Sequence, residues 1–207
     1  MAYSSADRVY DPNECAIFLK TSDEFGGLSN MAPGYPLFVT GAAIRTSEAL
    51  YQACRFPNHP ELQDLIINQM SPMTAKMKSK PFRDKTRDDW MGIRVNVMRW
   101  CLRVKLLQNY ERFSVLLQST GDRPIVEKKL RRSDFWGALE RPDGMLVGRN
   151  ALGRLLMELR EAMPDSRDDF LAIPPPSISN FLLLGKQIRE VKAMDSVDVT
   201  RQNSLFS

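Results

Sequence analysis

The sequence predicts an α+β fold, mostly helical, with a small N-terminal sheet packed against a helical core. Three observations carry that prediction. Between residues 14 and 45, short apolar runs alternate with Gly, Pro, Asn and Ser clusters, the pattern of strands and turns. From Thr46 onward, cap-plus-proline pairs and three-and-four spacing of apolar residues take over, the pattern of helices. A hydrophobic content of 43% over 207 residues is enough for one sizeable core.

The elements follow in order. Glu14–Lys20 reads as a strand, Thr21–Gly27 as a turn cluster, and residues 28–33 as irregular. Pro36–Thr40 and Ala42–Arg45, split by Gly41, read as a hairpin. Thr46 caps a short helix over residues 47–56, its hydroxyl accepting a first-turn N–H. Pro60 opens a helix to Met70, and Ser71-Pro72 opens the next. The longest helix spans roughly 89–108, capped by Asp88 or Asp89, with Trp90, Ile93, Val97, Trp100, Val104 and Leu107 as its buried stripe. Residues 110–118 form a further helix, Pro124–Glu127 a strand, and 138–149 a loop. Asn150 caps the last core helix, whose stripe is Leu152, Leu155, Leu156, Leu159 and Met163. Pro174-Pro175-Pro176 is a stiff linker, and Ile178–Lys192 reads as a short amphipathic helix. The chain thus divides into an N-terminal tail (1–13), a domain (14–163) and a Pro-linked, partly disordered extension (164–207), whose segment 178–192 is a candidate protein contact.

Composition narrows the chemistry. No run approaches the ~20 apolar residues of a membrane span, and the first residues lack the basic and apolar parts of a signal peptide, so the expected location is the cytoplasm. Three cysteines without a CxxC pair argue against a disulfide framework or a zinc site. His59, the single histidine, precedes a helix and leaves little room for histidine acid–base chemistry or metal clusters. Catalysis then rests on carboxylates, cysteine, lysine or tyrosine, with no metal or redox cofactor. Net charge is only +4, but residues 72–112 hold eleven Lys or Arg against four acids, and Lys128-Lys129-Leu130-Arg131-Arg132 adds a second basic run. Such runs are commonly solvated helix faces; their functional reading is an anionic partner, phosphate or nucleic acid.

The central stretch is Thr46-Ser-Glu-Ala-Leu-Tyr-Gln-Ala-Cys-Arg-Phe56. Spacing of four and three puts Glu48, Gln52 and Arg55 on one helix face, a solvent face or a pocket wall. An acid here also offsets the helix dipole, which is the plain structural reading of Glu48.

Five blocks stand in one order: Thr21-Ser-Asp-Glu-Phe-Gly-Gly-Leu-Ser-Asn30, Thr46–Phe56, Ser71-Pro-Met-Thr-Ala-Lys76, Phe135-Trp-Gly137 and Arg149-Asn-Ala-Leu-Gly-Arg-Leu-Leu-Met-Glu-Leu-Arg160. Together they resemble the NADAR (YbiA-like) family over residues 14–163. The resemblance implies an N-glycosidase acting on a phosphorylated ribose. One branch cleaves riboflavin-pathway aminopyrimidine ribosyl phosphates; another removes ADP-ribose from guanine in nucleic acid. Glu48 matches the family's helix glutamate, and a carboxylate suits the oxocarbenium-like state of such a cleavage. Asp134 is the expected assisting acid. It stands one residue after Ser133, where the family often has Asp, while Met31 and Ala138 also depart from the common pattern. Expected substrate contacts are Ser29, Asn30, Gln52, Arg55, Lys76, Gly137, Arg149 and Asn150, with Phe18, Tyr51 and Trp136 as stacking faces. The basic runs incline the substrate toward ADP-ribosylated guanine. The alternative from another class is a non-catalytic module that binds ADP-ribose or NAD.

Overall fold

A computed structural model describes residues 7–131 and 135–193. In chain order the elements are β1 (Arg8–Tyr10), β2 (Ala16–Phe18), β3 (Leu37–Val39), β4 (Ala42–Ile44), α1 (Ser47–Ala53), α2 (Pro60–Ile67), α3 (Pro72–Ser79), α4 (Trp90–Gln108) and α5 (Tyr110–Gln118). Then come β5 (Ile125–Lys129), β6 (Ala138–Glu140), β7 (Leu146–Gly148), α6 (Ala151–Glu161), β8 (Ala172–Ile173), β9 (Leu182–Leu183), β10 (Lys186–Gln187) and β11 (Val191–Lys192). No helix among the described residues is long and apolar enough to cross a membrane. The chain forms two units: Met1–Ser29 with Glu111–Met163, and Asn30–Tyr110 with Pro164–Ser207.

The first unit holds a five-stranded sheet of order β1-β7-β6-β5-β2. Parallel pairings join β2 to β5 and β5 to β6; β6–β7 and β1–β7 are antiparallel. Its strands therefore come from residues 8–18 and 125–148, and not from the N-terminal third alone. Residues 8–10 belong to the sheet although they fall in the stretch read as a tail. Residues 138–148, read as a loop, form the β6–β7 hairpin. Gly144 takes φ +83° at its tip, and the Asp143 carboxylate accepts the Met145 N–H at 3.0 Å. Tyr10, Cys15, Val126, Ala138 and Leu146 cluster as buried core on this sheet.

Helix α6 locks to β5 through Asn150. This residue does not cap the helix with its side chain: it is left-handed at φ 47°, and its amide turns to the strand. Its Nδ2 donates to the Ile125 carbonyl at 2.8 Å, and its Oδ1 accepts the Glu127 N–H at 3.2 Å. Gly153 follows from the same closeness, because a Cβ there would lie 2.0 Å from the Ile125 carbonyl oxygen.

The second unit is built on α4. Trp90, Val97, Trp100, Val104 and Leu107 are buried along it, as the spacing predicts, although Ile93 is only half-buried; Cys101 is buried as well. Asp89 precedes the helix without capping it and pairs with Arg87 at 2.6 Å instead. The β3–β4 hairpin turns on Thr40 and Gly41, both at positive φ.

Residues 164–193 also belong to this unit. The expected helix over 178–192 is absent: β9 pairs with β10, and β11 pairs with β8. Leu184 and Gly185 take φ of 51° and 74° between β9 and β10, a turn that a helix cannot contain. Gln63, fully buried on α2, donates to the Leu182 carbonyl at 2.8 Å and accepts the Leu184 N–H at 2.6 Å. Arg87 donates to the Ser179 carbonyl at 2.8 Å, and Phe181 meets the Trp100 ring edge-on at 5.1 Å.

Candidate active site

Local chemistry sets the position of Glu48. Thr46 is extended, and its hydroxyl accepts the Ala49 N–H at 3.3 Å, which starts α1. The Asn30 carbonyl then receives the Glu48 N–H at 2.9 Å and the Ser47 hydroxyl at 3.3 Å. The chain entering α1 is thereby tied to the end of the Thr21–Asn30 block. All seven residues of α1 are buried, so its polar face is not a solvent face.

Glu48 is buried, with 3% of the residue exposed. Its Oε2 accepts the Asn30 side-chain amide, and its Oε1 accepts the Gln52 amide at 2.9 Å. Gln52 thus presents its own oxygen the other way. That oxygen accepts Arg55 at 2.9 Å and the Ser79 hydroxyl at 3.3 Å. Arg55 lies just past the end of α1 and donates a second time, to the Thr86 hydroxyl at 2.9 Å. The chain of donors runs from cation to anion through one amide, an order that polarises each bond in the same sense.

Arg55 is half-buried, with its guanidinium carbon 5.9 Å from the Trp90 ring centroid. Its Nε is buried without a hydrogen-bond partner among the described residues. Burial pulls its pKa below the ordinary arginine value, and the neighbouring Arg83 charge adds to that. Tyr51 packs on Trp90 at 5.0 Å between centroids, and burial, then the Glu48 charge, pushes its phenol well above the usual range. Cys101 is held strongly as a thiol by burial, then by Cys54 and Glu48. Cys54 and Cys15 are buried as well, so no cysteine here has the setting of a nucleophile. Among the described residues no group of three or more His, Cys, Asp or Glu is placed to hold a metal ion.

Of the residues expected at the site, Asn30, Glu48, Tyr51, Gln52 and Arg55 gather in the second unit. Lys76 is exposed on α3 in the same unit. Phe18, Ser29, Trp136, Gly137, Arg149 and Asn150 lie in the first. Phe18 is 1% exposed and its ring is core, which removes it as a stacking face. Asn150 is fully buried with its amide spent on β5, so it is a structural lock and not a ligand contact. Trp136 remains half-buried, edge-on to Phe135 at 5.2 Å, and the exposed Arg149 guanidinium lies 5.6 Å from the Phe135 ring. Gly137 has no room for a side chain: a Cβ would sit 2.5 Å from the Glu127 carbonyl. Asp134 lies outside the described residues. The sequence reading passed over Ser79 and Thr86, which complete the network, and Glu127, a buried acid paired with Lys129 at 2.7 Å. An acid inside an apolar strand was the available signal for Glu127.

Residues 17–164 match the family model described as the NADAR domain. The N-glycosidase YbiA of Shigella sonnei (strain Ss046) is 36% identical over 146 residues, covering 70% of this chain and 86% of that protein. A riboflavin biosynthesis protein of Vibrio vulnificus (strain YJ016) is 35% identical over 148 residues, which are 72% of this chain but 38% of that protein. The NMR structure of Escherichia coli YbiA superposes with a TM-score of 0.59 at 31% identity, over 73% of this chain and 89% of that one. Fold and matches together define a hydrolase acting on N-glycosyl bonds. The chain belongs to the NADAR family.

Proposed function

We propose that this enzyme hydrolyses the N-glycosidic bond between a phosphorylated ribose and an amine or base, with Glu48 as its essential carboxylate. The observation that carries the reading is the setting of Glu48: a buried acid whose two oxygens are each held by a side-chain amide. Amide donors orient a carboxylate without cancelling its charge, which leaves that charge for a cationic sugar carbon or an attacking water.

In the proposed step the C1′–N bond lengthens and C1′ gains oxocarbenium character. Water forms the new C1′–O bond, its proton passes to Glu48, and the departing nitrogen keeps the bonding pair and takes up a proton. Asp134 is the proposed assisting acid. Arg55 is the proposed phosphate contact, since its half-buried guanidinium lies on the same hydrogen-bond network as Glu48. Tyr51 and Trp90 are buried against each other beside the same residues.

Two substrates fit this chemistry, ADP-ribose on guanine in nucleic acid and an aminopyrimidine ribosyl phosphate. The second gains support from the riboflavin biosynthesis protein among the relatives. The 128–132 run argues less for nucleic acid than its composition suggests, because Lys128 pairs with Glu140 and Lys129 with Glu127.

The test incubates the enzyme separately with ADP-ribosylated DNA and with the aminopyrimidine compound, and follows release of ADP-ribose or ribose phosphate. Turnover of either, lost by about 10²–10⁴-fold in a Glu48→Gln protein that still folds cooperatively, is the expected result. Tight binding without release in the parent protein would favour the non-catalytic module. Full activity in Glu48→Gln would return that acid to a helix-dipole role.

A further inference from the structure

Residues 186–193, past the end of the family match, wall a concavity together with residues inside that match. A cleft of about 640 Å³ opens in the second unit between the β3–β4 hairpin, the end of α4 and residues 186–193. Its floor is set by Gln108. That side chain accepts the Phe38 N–H at 2.8 Å and donates to the carbonyls of Phe38 at 2.9 Å and Lys192 at 3.1 Å. One amide therefore fixes both walls. Pairing of Val191 with Ile173 and the bond from Ile188 N–H to the Phe181 carbonyl hold the outer wall in place.

Lys186, Arg189 and Lys192 line this cleft and are exposed, against the single acid Glu190. Among the described residues none of the three cations has a carboxylate partner. This contrasts with Lys128 and Lys129, each neutralised by a glutamate. Overall composition concealed the cluster, because residues 165–207 hold five basic and six acidic residues. Folding brings three of the five cations to one hollow. Like charges gathered in a concavity repel one another and focus a positive potential there, an arrangement that an anion relieves.

Phe38, half-buried, adds an aromatic surface to the same cleft. Cations spaced from β10 through the connection to β11, beside an aromatic side chain, match a phosphate chain whose bases can turn inward and stack. A duplex keeps its bases stacked on one another and cannot fill the hollow. We propose that the cleft lined by Lys186, Arg189, Lys192 and Phe38 binds single-stranded nucleic acid. The proposal stands on the geometry of the cleft and does not depend on the glycosidase reading.

The test is a fluorescence-anisotropy titration of the full chain with a labelled single strand of about 12 nucleotides, its duplex, and a free mononucleotide as competitor. Salt is varied from roughly 50 to 200 mM, where phosphate contacts show as slope. The single strand is expected to bind at least about 10-fold tighter than either alternative. The variant Lys186→Gln/Arg189→Gln/Lys192→Gln should lose about 10-fold or more, with its salt slope shallower by about 2, since each phosphate contact contributes about 0.7. Phe38→Ala should weaken the strand without changing that slope. If the triple variant fails to fold, Lys186→Gln and Lys192→Gln taken singly should each lower the slope by about 0.7. Equal binding of duplex or mononucleotide, or parental affinity and slope in the charge variants, overturns the proposal.

Discussion

Glu48 and Arg55 are joined through a single amide: Gln52 donates to the carboxylate at 2.9 Å and accepts from the guanidinium at 2.9 Å. Charge is thus conveyed between the two ends of the polar cluster through a group that is itself neutral. Gln52 is 6% exposed, so its bonds are made away from water.

Replacing Gln52 by Leu removes a donor from Glu48 and an acceptor from both Arg55 and Ser79. The expected cost is about 1–3 kcal/mol of folding stability, measured by urea denaturation, together with loss of activity. Gln52→Glu instead keeps an acceptor for Arg55 and sets a second carboxylate one turn from the first. Its activity–pH profile should rise at higher pH than the parent's, because neighbouring carboxylates resist joint ionisation.

Gly153→Ala should be among the most damaging substitutions of the first unit. The added Cβ would lie 2.0 Å from the Ile125 carbonyl oxygen and against the Asn150 amide, so α6 has to move off β5. A loss of about 3 kcal/mol is expected by denaturant titration. Asn150→Ala should cost about 1–3 kcal/mol from the stranded Ile125 and Glu127 backbone groups. Its left-handed backbone adds about 1 kcal/mol more.

Lys105 gives a pH signature. It is fully buried on α4, with its ammonium nitrogen 4.3 Å from the Tyr35 ring centroid, and burial pulls its pKa well below 10.5. Between that lowered value and 10.5 the unfolded chain binds the proton and the folded chain does not. Stability from this group therefore climbs as pH rises through that window and levels off above it. Lys105→Met should flatten this part of the stability–pH curve, read from denaturation midpoints at successive pH values.

All three cysteines are buried, and Cys101 is held as a thiol. Native protein should resist a thiol-labelling reagent, with three equivalents reacting once it is denatured. Rapid native labelling of Cys54 or Cys101 would mean that the second unit opens around α1.

Much of the second unit was legible because its signals are local. Thr46 and Ser71 cap where their hydroxyls predict, and the α4 stripe follows from spacing alone. The β6–β7 hairpin was missed even though Pro142-Asp143-Gly144 is a turn sequence with a mechanism. Leu182-Leu183-Leu184 has no alternation to mark a strand, and its last leucine takes a backbone angle that its side chain disfavours. At the site, Glu48, Gln52 and Arg55 follow from helical spacing. Ser79 and Thr86 stand 27 residues from Gln52 and 31 from Arg55, beyond any local pattern. Phe18 and Asn150 fit a ligand by residue type, and only their burial shows that they serve the interior.

Gln63 has one further implication. Its oxygen and one of its donor contacts are committed to backbone beyond Pro174, so truncating the chain at the family match would strip the amide of the Leu184 and Leu182 partners and leave it only the Ala53 carbonyl. The homology border at residue 164 is thus no safe place to cut. A fragment ended there should precipitate or melt early, and fusion partners or tags belong after the last ordered pairing instead.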